Sequence, residues 1–431
     1  MLTGPSRIED SAVRRAVISN VYADDNRGGS AITAATIEAV RRAFPGCAVS
    51  LITTTDSADD LSTTHRHTMR SFPDVEVLPA ILAAPKGPLA GIRAVLRSLL
   101  LLAAPRSPRR NLSLQRVRQA DLVIGKGGQV FSLRRGIRGV AGLWLVLFPV
   151  ILAARLGITR CLYSVTVGPY GTRDMSRALA GWILRRMNLV LVRDARSRSE
   201  VLRLGVKPGA VVQIPDCVFS LVRDTRSRVE SLLEEYGLER RRFCTVTITR
   251  PAPNEEPPIF EYIGGILEPL LDRGAVDRVL IVVQADGKVK SDLKPSEDLL
   301  RHLSDSRVAI VREDLSVEDL MTLYEASAFT LGGRIHSAIL SLVAGTPGFP
   351  LLRTGAIKAE SIFGTIGLGR WVARVDLPAS HWVELIDRVA SNGETRAEIV
   401  ELVGGLRDEC RRISTSALRA VVGENRKTVA S

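Results

Sequence analysis

Aromatic residues are scarce, 5% of 431 positions, so stacked-base recognition of single-stranded nucleic acid has few platforms here. No cysteine pair has metal-ligand spacing: Cys47, Cys161, Cys217, Cys244 and Cys410 are odd in number and widely separated. They read as small buried hydrophobes in a reducing compartment, with neither a disulfide framework nor a metal site expected. The first residues, MLTGPSRIEDSAVRR, hold no apolar signal core, so the expected location is cytoplasmic rather than secreted. No apolar run reaches the ~20 residues that a membrane span requires. The nearest, residues 139–154 (GVAGLWLVLFPVILAA), contains Pro149, is bracketed by Arg138 and Arg155, and reads as a buried or membrane-facing helix.

What is present is an ordinary globular balance, 45% hydrophobic and 24% charged, in a chain long enough for two domains or three. The net charge is +13, mostly from arginine and read as spread along the chain. It favours acidic partners: phosphorylated substrates, anionic glycans or an anionic membrane face. A dense cluster such as Arg106 to Arg110 reads as a solvated loop, and no nucleic-acid partner is expected.

Strands and helices alternate. Short apolar runs at 14–20, 48–54, 121–125, 161–167, 188–194 and 210–216 are separated mostly by helical segments. The rhythm pauses over the polar stretch 222–242, then restarts at 243–250, 277–284, 306–314 and 327–333. Buried strands without polar alternation, separated by helices, predict α/β architecture with parallel doubly wound sheets. The expectation is two Rossmann-like domains facing a cleft, residues 1–225 and 240–431. An amphipathic tail helix at 396–425 is placed to cross back onto the first domain. Ligands of such sheets bind beyond the carboxyl ends of the strands.

The strongest local pattern is SAFTLGG followed by RIHSAILSLVA and Gly345-Thr346-Pro347. A strand turns at Gly332 and Gly333 into a helix that is apolar nearly all round and therefore buried. Its amino end offers backbone amides and a partial positive charge. Arg334 adds a fork suited to phosphate or carboxylate, and His336 a titratable donor. Gly333 and Ser337 complete this expected anion site. The alternative is that His336 merely caps the helix and Arg334 merely pairs with an acid. Lys358 follows the next strand and is expected near the same cleft.

In the first domain, NLVLVRD ends on Arg193 and Asp194, read either as a cleft-facing cation held by its neighbour or as a structural pair on the rim. DLVIGKGGQVF is read as a strand entering a glycine-rich loop in which Gly127 and Gly128 admit a ligand close to the backbone. Asn26-Arg27-Gly28-Gly29-Ser30 is an anion nest or a tight turn.

Taken in order, the Asn/Gly-rich first turn, ADLVIGKGGQVF, SVTVGPYG, LVRDARSRSEVLRLGV, IPDCVF and GGRIHSAILSLVAGTP with Lys358 downstream resemble the polysaccharide pyruvyl transferase family. The likeness runs over about residues 14–370. It implies a fold like the GT-B glycosyltransferases. It also implies transfer of the enolpyruvyl carbons of phosphoenolpyruvate to a sugar as a ketal, on a cell-envelope polysaccharide or its lipid-linked precursor. By that resemblance Arg193, Arg334, His336 and Lys358 fall where the donor's phosphate and carboxylate are held, with no metal and no cofactor. Peripheral association with the inner membrane face fits the same picture. Lys126 interrupts the family's glycine run, and Gly29 and Ser30 stand where the first turn often has an acid. Two other readings stay open: a GT-B nucleotide-sugar glycosyltransferase, and a non-catalytic glycan- or membrane-binding module.

Overall fold

A computed structural model describes residues 13–82, 87–106, 111–131, 136–171, 174–222, 229–251, 258–287, 291–352 and 357–430. The chain divides into two compact units. The first comprises residues 1–24, 32–214 and 411–431; the second comprises 25–31 and 215–410.

The first unit is built on a seven-stranded sheet of β1 (Arg15–Val21), β2 (Ala48–Thr53), β3 (Glu76–Leu78), β4 (Leu122–Phe131), β5 (Thr159–Val167), β6 (Leu189–Val192) and β7 (Val211–Gln213). Their order is β3-β2-β1-β4-β5-β6-β7. The second unit has a six-stranded sheet of β8 (Phe243–Thr247), β9 (Arg278–Val282), β10 (Val308–Val311), β11 (Thr330–Gly332), β12 (Gly348–Leu352) and β13 (Ala373–Arg374). It is ordered β10-β9-β8-β11-β12-β13. All pairings within the two sheets are parallel. The residues explain why: β6 (LVLV) and β8 (FCTVT) are buried along their whole length, as strands covered by helices on both faces must be. Strand order reverses between β1 and β4 in one sheet and between β8 and β11 in the other. Those are the two places where an open α/β sheet leaves a crevice at its carboxyl edge.

The apolar stretch 139–154 is two helices rather than one. Gly136–Val146 and Phe148–Leu156 meet at Leu147, and the two helices are bent by 54°. Pro149, in the first turn of the second helix, has no N–H to continue the ladder of the first. Phe148 to Ala153 are buried against β4 and β5, so this half belongs to the core. Among the described residues no single helix is long and apolar enough to cross a membrane.

The glycine-rich segment is not a loop. β4 runs on through Gly127 and Gly128 to Phe131, and its pairing with β5 is irregular between Gly128 and Phe131. A Cβ on Gly127 would lie 2.2 Å from the Ser164 carbonyl oxygen, so glycine is required there for strand-to-strand approach. Gly128 has φ +117° and open space where a Cβ would stand. Four of the five cysteines are buried, and burial pushes the Cys161 and Cys244 thiols far up.

Candidate active site

The second unit gathers its polar groups at the β8/β11 reversal. β11 ends at Gly332, and Gly333 donates its N–H to the Thr247 carbonyl at the end of β8, at 2.7 Å. A side chain on Gly333 would sit 2.5 Å from that same oxygen, so only glycine lets the turn press against β8. The helix Ile335–Val343 starts immediately afterwards, with Arg334 at its cap position and no side chain capping it. Its first turn therefore aims backbone donors and a partial positive charge outward from the turn. From Ser337 to Val343 the helix is buried, which fixes where that end points.

His336 lies in the first turn. Its side chain is 14% exposed, and its Nε2 stands 3.8 Å from Oδ2 of the fully buried Asp216. Asp216 is held in turn by the Val218 N–H, which it accepts at 3.1 Å in the short turn Cys217–Ser220. The other side of the imidazole rests on Gly28, where a Cβ would fall 2.6 Å from Nδ1. Gly28 reaches that position because residues 25–31 pack with the second unit. Asn26 bridges to Ala285, the Arg27 N–H donates to the Gln284 carbonyl at 3.2 Å, and the Arg27 guanidinium pairs with Asp314 and the Leu315 carbonyl. Asn26 itself is exposed, and its carbonyl accepts the Ser30 N–H at 3.1 Å.

Arg334 is committed to a partner. Its Nε and Nη2 grip both oxygens of Asp292, a buried carboxylate before the helix Leu293–Leu303 that also accepts the Ala285 N–H at 3.1 Å. Burial pushes the Asp292 carboxyl up, and Arg334 opposes that shift. Nothing in the motif reading singles out Asp292; its signal is an aspartate just before a helix, which reads as a plain cap. Ser337 is fully buried, and its hydroxyl bonds to Thr247 at 2.7 Å and the Arg334 carbonyl at 2.5 Å, so it fastens the turn. Lys358 falls in the helix Ile357–Thr365, with its side chain outside the described residues.

The first unit holds the other named residues. Arg193, at the end of β6, is 1% exposed and donates from Nε to the Thr166 hydroxyl at 2.8 Å. Asp194 caps the helix Ala195–Arg203, accepting the N–H and the hydroxyl of Ser197, each at 2.8 Å. At the β1/β4 reversal Lys126 is buried, donates to the Thr33 hydroxyl at 3.0 Å and lies over the Tyr22 ring. Asp24 accepts the Thr68 N–H and hydroxyl at 2.8 and 2.6 Å, and His65 is fully buried nearby, its pKa lowered chiefly by burial. Sequence reasoning missed His65, which sits in a polar stretch with no strand or glycine turn to mark it. A mostly apolar cavity of about 190 Å³ opens beside these strand ends, lined by Asn20, Thr53, Ile81, Leu145 and Phe148 among others.

Among the described residues no group of three or more His, Cys, Asp or Glu side chains is arranged to hold a metal. What the second unit offers is an uncapped helix start, a carboxylate-anchored arginine and a half-sheltered imidazole beside a buried aspartate.

Solved structures share the architecture. UDP-GlcNAc 2-epimerase from Neisseria meningitidis bound to UDP-GlcNAc superposes with a TM-score of 0.59 at 12% identity, covering 94% of this chain and 98% of that one. The enzyme of the same name from Methanocaldococcus jannaschii gives 0.56 at 10% identity, covering 90% and 99%. Anabaena Alr3699/HepE in complex with UDP and glucose gives 0.52 at 12% identity, covering 97% and 99%. At these identities the likeness shows the fold, a pair of Rossmann-like domains of the GT-B kind. The family model that matches residues 26–354 is that of polysaccharide pyruvyl transferase; it takes in β2 to β12, with the turn at Gly333 to Ser337, and leaves out β1 and everything beyond residue 354. The chain thus belongs to the polysaccharide pyruvyl transferase family.

Proposed function

We propose that the protein transfers the enolpyruvyl group of phosphoenolpyruvate to a sugar diol, forming a pyruvate ketal and releasing phosphate. The observation that carries this reading is the His336 turn: an uncapped helix start joined to a guanidinium and to an imidazole backed by a buried carboxylate. Phosphoenolpyruvate carries about three negative charges near neutral pH, which suits such a turn. Proton transfer from His336 to the methylene carbon generates a cationic centre at the neighbouring carbon. One sugar hydroxyl adds there and a second displaces phosphate. Of the two hydroxyl protons, one balances the proton now on the methyl group and the other leaves with phosphate. Asp216 steadies the imidazolium side of that exchange. The Nη1 edge of Arg334 and the first-turn amides are the proposed contacts for the donor's anionic groups.

Gly333 and Ser337 enter as shape and fastening of the turn. Arg193, Lys358, Gly127, Gly128 and Asn26 stay proposed substrate contacts on the motif match with the family rather than on geometry. The acceptor is a cell-envelope glycan or its lipid-linked precursor by the same resemblance.

A nucleotide-sugar glycosyltransferase shares this fold, but the helix IHSAILSLV carries no glutamate for that chemistry. Incubating the purified chain with phosphoenolpyruvate and a panel of galactosides and mannosides, with phosphate release as the readout, separates the two. Turnover with a sugar nucleotide and none with phosphoenolpyruvate overturns the proposal.

A further inference from the structure

The positive charge is not spread along the chain. Residues 77–173 hold fifteen lysines and arginines against one acid, Asp121, a net of +14 beside +13 for the whole sequence. The remainder is close to neutral. Within that stretch lies the helix Pro88–Ala103 (PLAGIRAVLRSLLLLA), which has no acidic residue.

Its two faces differ. The inner face is fixed to the first unit: Leu101 is buried, and the buried Ser98 hydroxyl accepts the Trp144 indole N–H at 2.7 Å from the helix Gly136–Val146. The outer face carries Leu89, Ile92, Leu96, Leu99 and Leu100, each between 48% and 73% exposed. Their spacing, with Ala103, places them on one stripe of about 100°. Arg93 and Arg97 are exposed along one edge of it. Scattered exposed apolar side chains need no explanation, but five on one helix stripe do.

We propose that this face docks on an anionic lipid bilayer surface, with the helix lying in the interface plane. Sixteen residues interrupted by two arginines are too few to span, whereas an apolar stripe edged by arginines matches the acyl boundary below a layer of phosphates. Charge complementarity selects this occupant over a second copy of the chain. A two-fold contact through this stripe would bring Arg93 and Arg97 of both copies together on helices that hold no acid to receive them. The surface differs from the apolar stretch 139–154, whose second half is core. It does not depend on the pyruvyl reading.

The test is co-sedimentation of the full chain with vesicles of mixed phosphatidylglycerol and phosphatidylcholine, against vesicles of phosphatidylcholine alone. Binding is expected to the first, to weaken with salt, and to be far weaker to the second. Arg93→Gln with Arg97→Gln should lower partitioning roughly twenty-five- to thirtyfold, about fivefold per cation at an anionic surface. Leu96→Glu with Leu100→Glu should abolish it. Both variants should keep the parent's circular dichroism, thermal unfolding and phosphate release on a water-soluble acceptor, which keeps this result separate from that of the proposed reaction. Equal binding to both vesicle types, or undiminished binding by the variants, overturns the proposal. So does a dimer in size-exclusion chromatography that the leucine variant dissociates, which would give the face to a second copy.

Discussion

The two units each hold a histidine beside a buried aspartate, and the two pairs are built to opposite ends. His336 sits in the first turn of a helix, partly exposed, with Asp216 3.8 Å away and a glycine under its ring. His65 is sealed, with Asp24 and Lys126 as charged neighbours acting in opposite directions on its proton affinity. Burial outweighs Asp24 and holds His65 towards the neutral form. A histidine and a carboxylate are thus not themselves a reactive pair. Access and the position at a helix start distinguish an imidazole that a ligand could reach from one sealed in a core.

The sharpest test of that contrast is kinetic. His336→Gln is expected to lower phosphate release from phosphoenolpyruvate by roughly a hundredfold to ten-thousandfold, with little change in thermal unfolding. His65→Gln should leave turnover within a few-fold of the parent. Equal losses in both would break the distinction.

Next comes the arginine anchor. Arg334→Ala leaves Asp292 buried without its cation, and urea unfolding should show a loss of ~3–5 kcal/mol. Adding Asp292→Asn should recover much of that stability and none of the activity. Recovery of both would reduce Arg334 to a structural role.

A smaller effect follows from pH. The folded pKa of His65 is depressed below the ordinary 6.5, so the unfolded chain binds more protons in acid. The contribution is intact above about 6.5 and declines as pH falls below it. Unfolding midpoints followed from neutral pH downward should fall less steeply in His65→Gln than in the parent.

The two strand glycines give the smallest predicted change. Gly127→Ala should cost ~1–3 kcal/mol, because its Cβ meets a backbone carbonyl that cannot move aside. Gly128→Ala faces only the strain of φ +117° in open space, and should cost less. The reverse order would return the segment to the loop expected of it.

Much of this was legible beforehand, for identifiable reasons. β1, β2, β4 to β6 and β8 to β11 announce themselves as buried runs, since a strand covered on both faces has no polar alternation to blur it. β3 and β13, three and two residues long, stand in no such run. The turn from Gly333 to Ser337 was readable because glycine, arginine and histidine meet where a strand becomes a helix. Its partners were not. Asp292, Asp216 and Gly28 lie 42, 120 and 308 positions from Arg334 or His336, and their residue types are ordinary for the caps and turns they occupy. Local pattern gives the element, and long-range pairing gives the chemistry. The glycine segment failed in the other direction: GKGG resembles loop composition, but here its smallest residue serves strand contact.

The placement of residues 25–31 carries a consequence for how this protein can be divided. They include the first five residues of the helix Arg27–Ala43, whose remainder belongs to the first unit, and Gly28 among them is the surface on which His336 rests. A fragment of residues 215–410 would carry the arginine, the histidine and both aspartates and still lack the floor of their site. The His336 turn is therefore not a transplantable segment: gene fusions or halves exchanged between relatives at the midpoint of the chain would inherit a mismatched seat for the imidazole, unless the first thirty-one residues travelled with them.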